Sequence, residues 1–226
     1  ITVANGDVYV AGYEHNGTRD AAKYWKNGTE VVLTDGSQNA YAKSISVYNG
    51  DIYVAGYEFN GIRNVAKYWK NGTEVVIANN SQSTGALSIT VASGDIYVAG
   101  YEARGNNKVA KYWKNGVETS LSDGSNLAYA NSITVANGDV YVAGYEKNGI
   151  IYVAKYWKNG TEVTLTYNSA NAFSYDISVH NGDTYVAGKE YTGSNNVAKY
   201  WKNGTQVLLT DGSQKASAQS IFVVEE

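Results

Sequence analysis

The chain has 226 residues, of which 43% are apolar and 17% charged, a balance that supports a folded core and excludes a charged disordered tail. A net charge of -3 gives no electrostatic ground for a nucleic-acid partner or an anionic membrane, and no apolar run is long enough for a membrane-spanning helix. With no cysteine there is no disulfide or thiol chemistry, and with no proline against 24 glycines the turns fall to glycine and asparagine.

In chain order, Ile1-Thr2-Val3-Ala4 is a short β-branched run stopped by Asn5-Gly6, the dipeptide that best supplies the two positive-φ residues of a type I′ hairpin turn. Asp7 to Glu14 then reads as a second strand and His15 to Asp20 as a polar loop. A third strand, Ala21 to Lys26, meets Asn27-Gly28 and returns as Thr29 to Thr34. Asp35 to Ser44 is a longer link, after which Ile45-Ser46-Val47 begins the pattern again. The string Ala22-Lys23-Tyr24-Trp25-Lys26-Asn27-Gly28 recurs almost unchanged, so that Trp25, Trp69, Trp113, Trp157 and Trp201 follow one another at 44 residues. A period of this size marks a repeat architecture.

Two-residue turns fix register, which predicts Val3 opposite Val8 and Trp25 opposite Glu30. One face of the unit then carries Ile1, Val3, Val8, Val10, Lys23, Trp25 and Val32. The other carries Thr2, Tyr9, Ala11, Tyr13, Ala22, Tyr24, Val31 and Leu33. Both faces are apolar enough that each sheet is expected to lie between two neighbours. Four antiparallel strands, repeated over 1–44, 45–88, 89–132, 133–176 and 177–220, describe an all-β, five-bladed β-propeller forming a single domain. The last residues, 221–226, are a closing strand: Ile221-Phe222-Val223-Val224 duplicates Ile1-Thr2-Val3-Ala4. The C-terminal copy is favoured beside Tyr9, because it keeps the crossover made at the other junctions.

Asn49-Gly50-Asp51-Ile52-Tyr53-Val54-Ala55-Gly56-Tyr57, followed by Val65-Ala66-Lys67-Tyr68, distantly resembles the kelch pattern, with Ala-Gly in place of its double glycine. The unit more closely resembles repeats in bacterial exported or lipid-anchored proteins that share VYVAG and AKYWKNG. That resemblance covers the whole chain, and implies an exported, periplasmic or cell-surface setting and no known activity. It also places the first strand of each unit innermost, making Thr2, Ser46, Thr90, Thr134 and Ser178 a row of small hydroxyls lining a narrow polar channel. The start at Ile1 rather than methionine leaves room for an upstream targeting segment.

The candidate ligand-binding residues are Trp25, Trp69, Trp113, Trp157 and Trp201, which stack well on sugars if exposed and otherwise pack between blades. Asn27, Asn71, Asn159 and Asn203 match the glycosylation acceptor pattern, but the turn demands Asn-Gly regardless, and Val117 breaks the acceptor in the third copy. Asp35-Gly36-Ser37, Asp123-Gly124-Ser125 and Asp211-Gly212-Ser213 read as Asx turns rather than calcium loops, and Asn79-Asn80 and Tyr167-Asn168 replace the pair elsewhere. Lys23, Lys67, Lys111, Lys155 and Lys199 stand on an otherwise apolar face, either paired with Glu30 and its equivalents or lying along the tryptophan.

His15 and His180 occupy non-equivalent repeat positions, and acids such as Asp7 and Glu14 recur in every copy, whereas an active site normally needs one asymmetric constellation. The function expected is therefore a non-enzymatic repeat scaffold or binding module with no cofactor and no metal. Its sites lie at loops and blade junctions, its partners are carbohydrate or protein, and a terminal segment offers strand-mediated self-association. Variation among copies concentrates in the loop between second and third strands and in the link, the usual carriers of recognition. The alternatives are a recently amplified or engineered propeller without a settled ligand and, more distantly, an enzyme.

Overall fold

A computed structural model describes residues 1–78, 81–167 and 170–224. The Asn79-Asn80 and Asn168 replacements in the links, and Glu225-Glu226 at the end, lie outside the described residues.

The first sheet comprises β1 (Thr2–Ala4), β2 (Asp7–His15), β3 (Asp20–Lys26) and β4 (Thr29–Val32). The second comprises β5 (Ala40–Tyr48), β6 (Asp51–Phe59), β7 (Asn64–Lys70) and β8 (Thr73–Val76), and the third β9 (Thr84–Ala92), β10 (Asp95–Arg104), β11 (Asn107–Lys114) and β12 (Val117–Ser120). The fourth holds β13 (Ala128–Ala136), β14 (Asp139–Asn148), β15 (Ile151–Lys158) and β16 (Thr161–Thr164), and the fifth β17 (Ala172–His180), β18 (Asp183–Tyr191), β19 (Asn196–Lys202) and β20 (Thr205–Leu208). Each is a four-stranded meander in chain order, and no helix occurs among the described residues.

The turns form as their chemistry dictates. Asn27 and Gly28 take φ of 49° and 81°, and the Asn27 side chain accepts from the Val8 N–H at 2.8 Å while donating to Asp7 at 2.7 Å. The same double clamp recurs at Asn71, Asn115, Asn159 and Asn203, so the acceptor-like asparagines are turn residues with occupied amides. The register follows: Val3 faces Val8 and Trp25 faces Glu30.

The links end earlier than the sequence suggests. Strand begins at Ala40, Thr84, Ala128 and Ala172 rather than near Ser44 and its equivalents, and the pairing skips Lys43, Leu87, Asn131 and Tyr175 as bulges. The reason is burial: Ala40, Ala128 and Ala172 are fully buried, and the early strand crosses the glycine of VYVAG at very close range. A Cβ on Gly56 would lie 2.0 Å from the Tyr41 carbonyl oxygen and 3.1 Å from the Trp69 ring. That glycine is required by close approach, not by a turn.

The chain divides into two compact units, Ile1–Ala103 with Trp113–Glu118, and Arg104–Tyr112 with the described part of Thr119–Glu226. In the first, Tyr9, Ala22 and Tyr24 of blade one pack on Ala40, Ala42, Ile45, Val54 and Trp69 of blade two, and Tyr53, Ala55 and Ala66 repeat the joint toward Ile89, Val98 and Trp113. In the second, Tyr141, Ala143, Ala154 and Leu165 pack on Ala172, Ile177, Val186 and Trp201. One repeat's tyrosine face thus covers the next repeat's tryptophan face.

Two expectations are corrected. The side chain opposite Tyr9 is Thr2, so the N-terminal copy holds the first-strand position of blade one. It has the Asn5-Gly6 turn that zips it to β2, and Ile221–Val224 has no such hairpin and forms no strand. The C-terminal segment instead lies on blade five, where Ala216 and Ala218 N–H groups donate to Asn196 (2.8 Å) and Gly188 (3.2 Å) carbonyls. Nor is every sheet face covered: Ile1 is 83% exposed where its equivalents Ile45, Ile89, Ile133 and Ile177 are 4–6% exposed.

Candidate functional site

At one end of blades one, three, four and five the two variable connections are bonded together. The Asn16 amide donates to the Gly36 carbonyl at 3.1 Å and the Asp20 N–H to Asn39 at 3.1 Å. Asn107 with Ser125, Tyr152 with Asn171, and Asn195 with Gly212 repeat the arrangement. The loop between second and third strands and the link therefore form one rim.

Inside this rim, in the first unit, Tyr41 stands edge-on to Tyr13 with centroids 4.8 Å apart and tilted to Tyr57 at 5.3 Å. Its hydroxyl donates to Asp20 at 2.8 Å, and that carboxylate together with burial pushes the phenol up to about 12. Beside it opens a cleft of about 410 Å³ lined by Arg19, Asn39, Tyr41, Tyr57, Phe59 and Asn64. Aromatic faces are here combined with a guanidinium and two amides. The second unit repeats the edge-on pair among different neighbours: Tyr145 meets Phe173 edge-on at 4.9 Å, Tyr152 lies 5.0 Å from Phe173, and Lys189, in the place of Tyr57, stands 5.2 Å over that ring.

Part of the variation between copies is absorbed by pairing across junctions. Asp20 bonds Tyr41, its equivalent Lys108 bonds the Tyr129 hydroxyl and covers its ring, and their equivalent Tyr152 stacks on Phe173. These three junctions each have their own pair, a signal that only alignment of residues about 21 apart could have exposed.

Four of the five tryptophans lie in the interior rather than on the surface. Trp69, Trp113, Trp157 and Trp201 are 0–1% exposed; Trp69, Trp113 and Trp201 pack against the tyrosine face of the preceding blade, and a Cβ on Gly56, Gly144 or Gly188 would press on the Trp69, Trp157 or Trp201 ring of the same blade. Trp25 is half-buried.

The repeated lysines have the partners expected and a further one. Lys23, Lys67 and Lys155 bind Glu30, Glu74 and Glu162 at 2.8–2.9 Å, and also Glu14, Glu58 and Glu146 from the second strand. Lys199 additionally lies 5.9 Å over Trp201. Burial alone would lower the Lys67 pKa, but its bonds to Glu58 and Glu74 outweigh that and raise it. Above these networks run two equivalent clefts of about 300 Å³, one lined by Leu33, Thr34, Asp35, Ser37, Glu58 and Glu74 and one by Leu165, Thr166, Tyr167, Glu190, Gly204 and Gln206.

Asp35, Asp123 and Asp211 accept from the N–H of Ser37, Ser125 and Ser213 at 2.8–2.9 Å, the Asx turns expected. Thr2, Ser46, Thr90, Thr134 and Ser178 are half-buried. Hydroxyl contacts between neighbouring first strands belong to a different row: Ser44 accepts from the Ile89 N–H at 3.2 Å, and Ser132 donates to Asp176 at 2.7 Å. His15 pairs with Asp20 at 3.0 Å.

The hairpin aspartates Asp7, Asp51, Asp95, Asp139 and Asp183 are all held below the ordinary carboxylate range by hydrogen bonds from a lysine and an asparagine. A depressed folded pKa gives stability that is present above the unfolded value of about 3.9 and lost as pH falls through the folded one. The thermal midpoint should be level above about pH 4 and fall below it. A midpoint unchanged down to about pH 2 would contradict this.

No family model and no curated protein matches the chain. Among solved structures it is similar to TolB from Acinetobacter baumannii, with a TM-score of 0.60 at 11% identity over 88% of this chain and 51% of that one. It is also similar to a subtype N10 neuraminidase-like protein of A/little yellow-shouldered bat/Guatemala/060/2010, with a TM-score of 0.53 at 13% identity over 75% of this chain and 58% of that one. The fold is a five-bladed β-propeller. The chain spans about half the length of these two structures, and at such identity the likeness is one of propeller fold alone.

Proposed function

We propose that this propeller is a non-enzymatic binding module presenting several similar sites at its rims and junctions, and that their ligands are carbohydrates. The observation that carries the reading is the Arg19–Asn39–Tyr41–Tyr57–Phe59–Asn64 cleft, whose counterpart in the second unit keeps the edge-on ring pair. Sugar C–H faces stack on aromatic rings, and sugar hydroxyls bond amides and guanidinium groups. Weak sites repeated on one scaffold gain by avidity where geometry permits. The non-enzymatic part rests on acids that recur in each copy and are engaged by lysines, as Asp7 is by Lys26 at 2.7 Å.

A glycan array followed by calorimetry tests the proposal. Binding should be lost or weakened at least tenfold by Tyr57→Ala with the thermal midpoint little changed, and no binding across a broad panel would remove the carbohydrate reading. A scaffold without a settled ligand is the second reading, favoured by the junction pairs that absorb loop variation. Under this proposal the module works at the cell surface or in the periplasm, a setting suggested by its resemblance to exported bacterial repeats.

A further inference from the structure

The hairpin lysines Lys26, Lys70, Lys114, Lys158 and Lys202 each hold the aspartate of their own blade at 2.7–2.9 Å. Arg104, on the loop between the second and third strands of blade three, donates its guanidinium to the Asp123 carbonyl at 2.6 Å. Arg19, on the same loop of blade one, is different. Its main chain closes the loop with Asn16, while its guanidinium is exposed and has no partner among the described residues. Asp20, next in the chain, does not neutralise it: one carboxylate oxygen is taken by His15 at 3.0 Å and the other by the Tyr41 hydroxyl at 2.8 Å.

That guanidinium lines the cleft of about 410 Å³ together with Asn39, Tyr41, Tyr57, Phe59 and Asn64, and no carboxylate lines it. The volume lies within the range of about 300–1,000 Å³ usual for small-molecule sites. The Asn39 amide oxygen already accepts from the Asp20 N–H at 3.1 Å, so its NH2 group is what remains for a ligand, and the Asn64 side chain has no partner among the described residues. Donors therefore gather around one positive charge, beside the Tyr57 and Phe59 rings. Arg63 holds the place of Arg19 in blade two, but there Gly85 and Ala103 stand where the first junction has Tyr41 and Phe59, so the cation has no such aromatic wall. In the second unit the ring cluster again carries a cation: Lys189 lies 5.2 Å over Phe173 and 5.8 Å over Tyr175, with no carboxylate bound to it among the described residues.

We infer that the Arg19 cleft selects sugars that bear a carboxylate, the uronic-acid units of acidic polysaccharides; the inference rests on the carbohydrate reading proposed above. Arg19 holds the carboxylate, because a guanidinium matches its two oxygens with two parallel N–H groups. The Asn39 and Asn64 amides take the remaining oxygens, and the Tyr57 and Phe59 rings receive the C–H face of the sugar. A neutral sugar in the same place leaves the guanidinium without its counter-charge.

The test is calorimetry of the full chain with oligomers of galacturonate, glucuronate and mannuronate, each paired with its methyl-esterified form, which keeps the ring and loses the charge. At least one acid oligomer should bind more tightly than its ester by about tenfold or more, the margin of a charge-assisted hydrogen bond over a neutral one, and the margin should shrink as salt is raised. Arg19→Met should bring acid and ester to equal affinity with the thermal midpoint unchanged, since the side chain is exposed and unpartnered, and Arg63→Met should leave the margin as it was. Equal binding of acid and ester, a margin that survives Arg19→Met, or binding of neutral sugars with none of the acid oligomers overturns this inference and leaves the carbohydrate reading standing. Failure of every sugar, neutral and acidic, removes both.

Discussion

Replacing Trp69 by alanine should destabilise the protein by about 3–5 kcal/mol, the range for removing a large aromatic side chain from a packed core. Trp69 is fully buried, closed on one side by Tyr9, Ala22 and Tyr24 of the preceding blade and on the other by Gly56 of its own. None of these neighbours is a long flexible side chain that could fold into the space, so the cavity should stay largely open. Trp25→Ala removes the same atoms from a half-buried position and should cost distinctly less. Denaturant unfolding of both variants checks the difference. Equal losses would mean that Trp25 is as enclosed as Trp69 in solution.

The second large effect is expected at Glu190. Lys199 is 2% exposed and carries one carboxylate partner, Glu190, because its other neighbour is Gln206, at 2.7 Å, where blades one, two and four have a glutamate. Glu190→Ala therefore strands a buried ammonium, which typically costs about 3–5 kcal/mol. Glu146→Ala should cost less, since Lys155 keeps Glu162 at 2.8 Å. Adding Lys199→Met to Glu190→Ala should restore part of the loss, because an apolar side chain has no charge to desolvate. Similar losses for Glu190→Ala and Glu146→Ala, read from unfolding midpoints, would show that water reaches Lys199 when its partner is removed.

These two sites bear on function through the scaffold rather than through a ligand. The tryptophan and the lysine hold the blade centre, and the loops and links at the rim are free to differ. Tyr41 shows the limit of that freedom: it lines the cleft, yet its hydroxyl is committed to Asp20. Tyr57, Arg19 and Phe59, which also line the cleft, are the better test of the proposed recognition.

The sequence by itself determined the repeat, the four-stranded meander, the hairpin register and the two faces of each sheet. Those features come from interactions within a few residues: Asn-Gly turns fix strand pairing, and alternation with a period of two assigns every side chain to a face. It also offered Glu30 as one candidate partner for Lys23, on the neighbouring strand, and the structure shows that pair at 2.9 Å. Only the tertiary structure decided what covers each face. The burial of Trp69, the early start of β5, the approach of the Tyr41 carbonyl to Gly56 and the Asp20–Tyr41 pair all arise where one blade meets the next. Such contacts leave no mark on the local pattern of either repeat. For the same reason Ile1 and Ile45 look alike in sequence, and one is 83% exposed and the other 6%: the difference lies in a neighbouring surface, not in the residue.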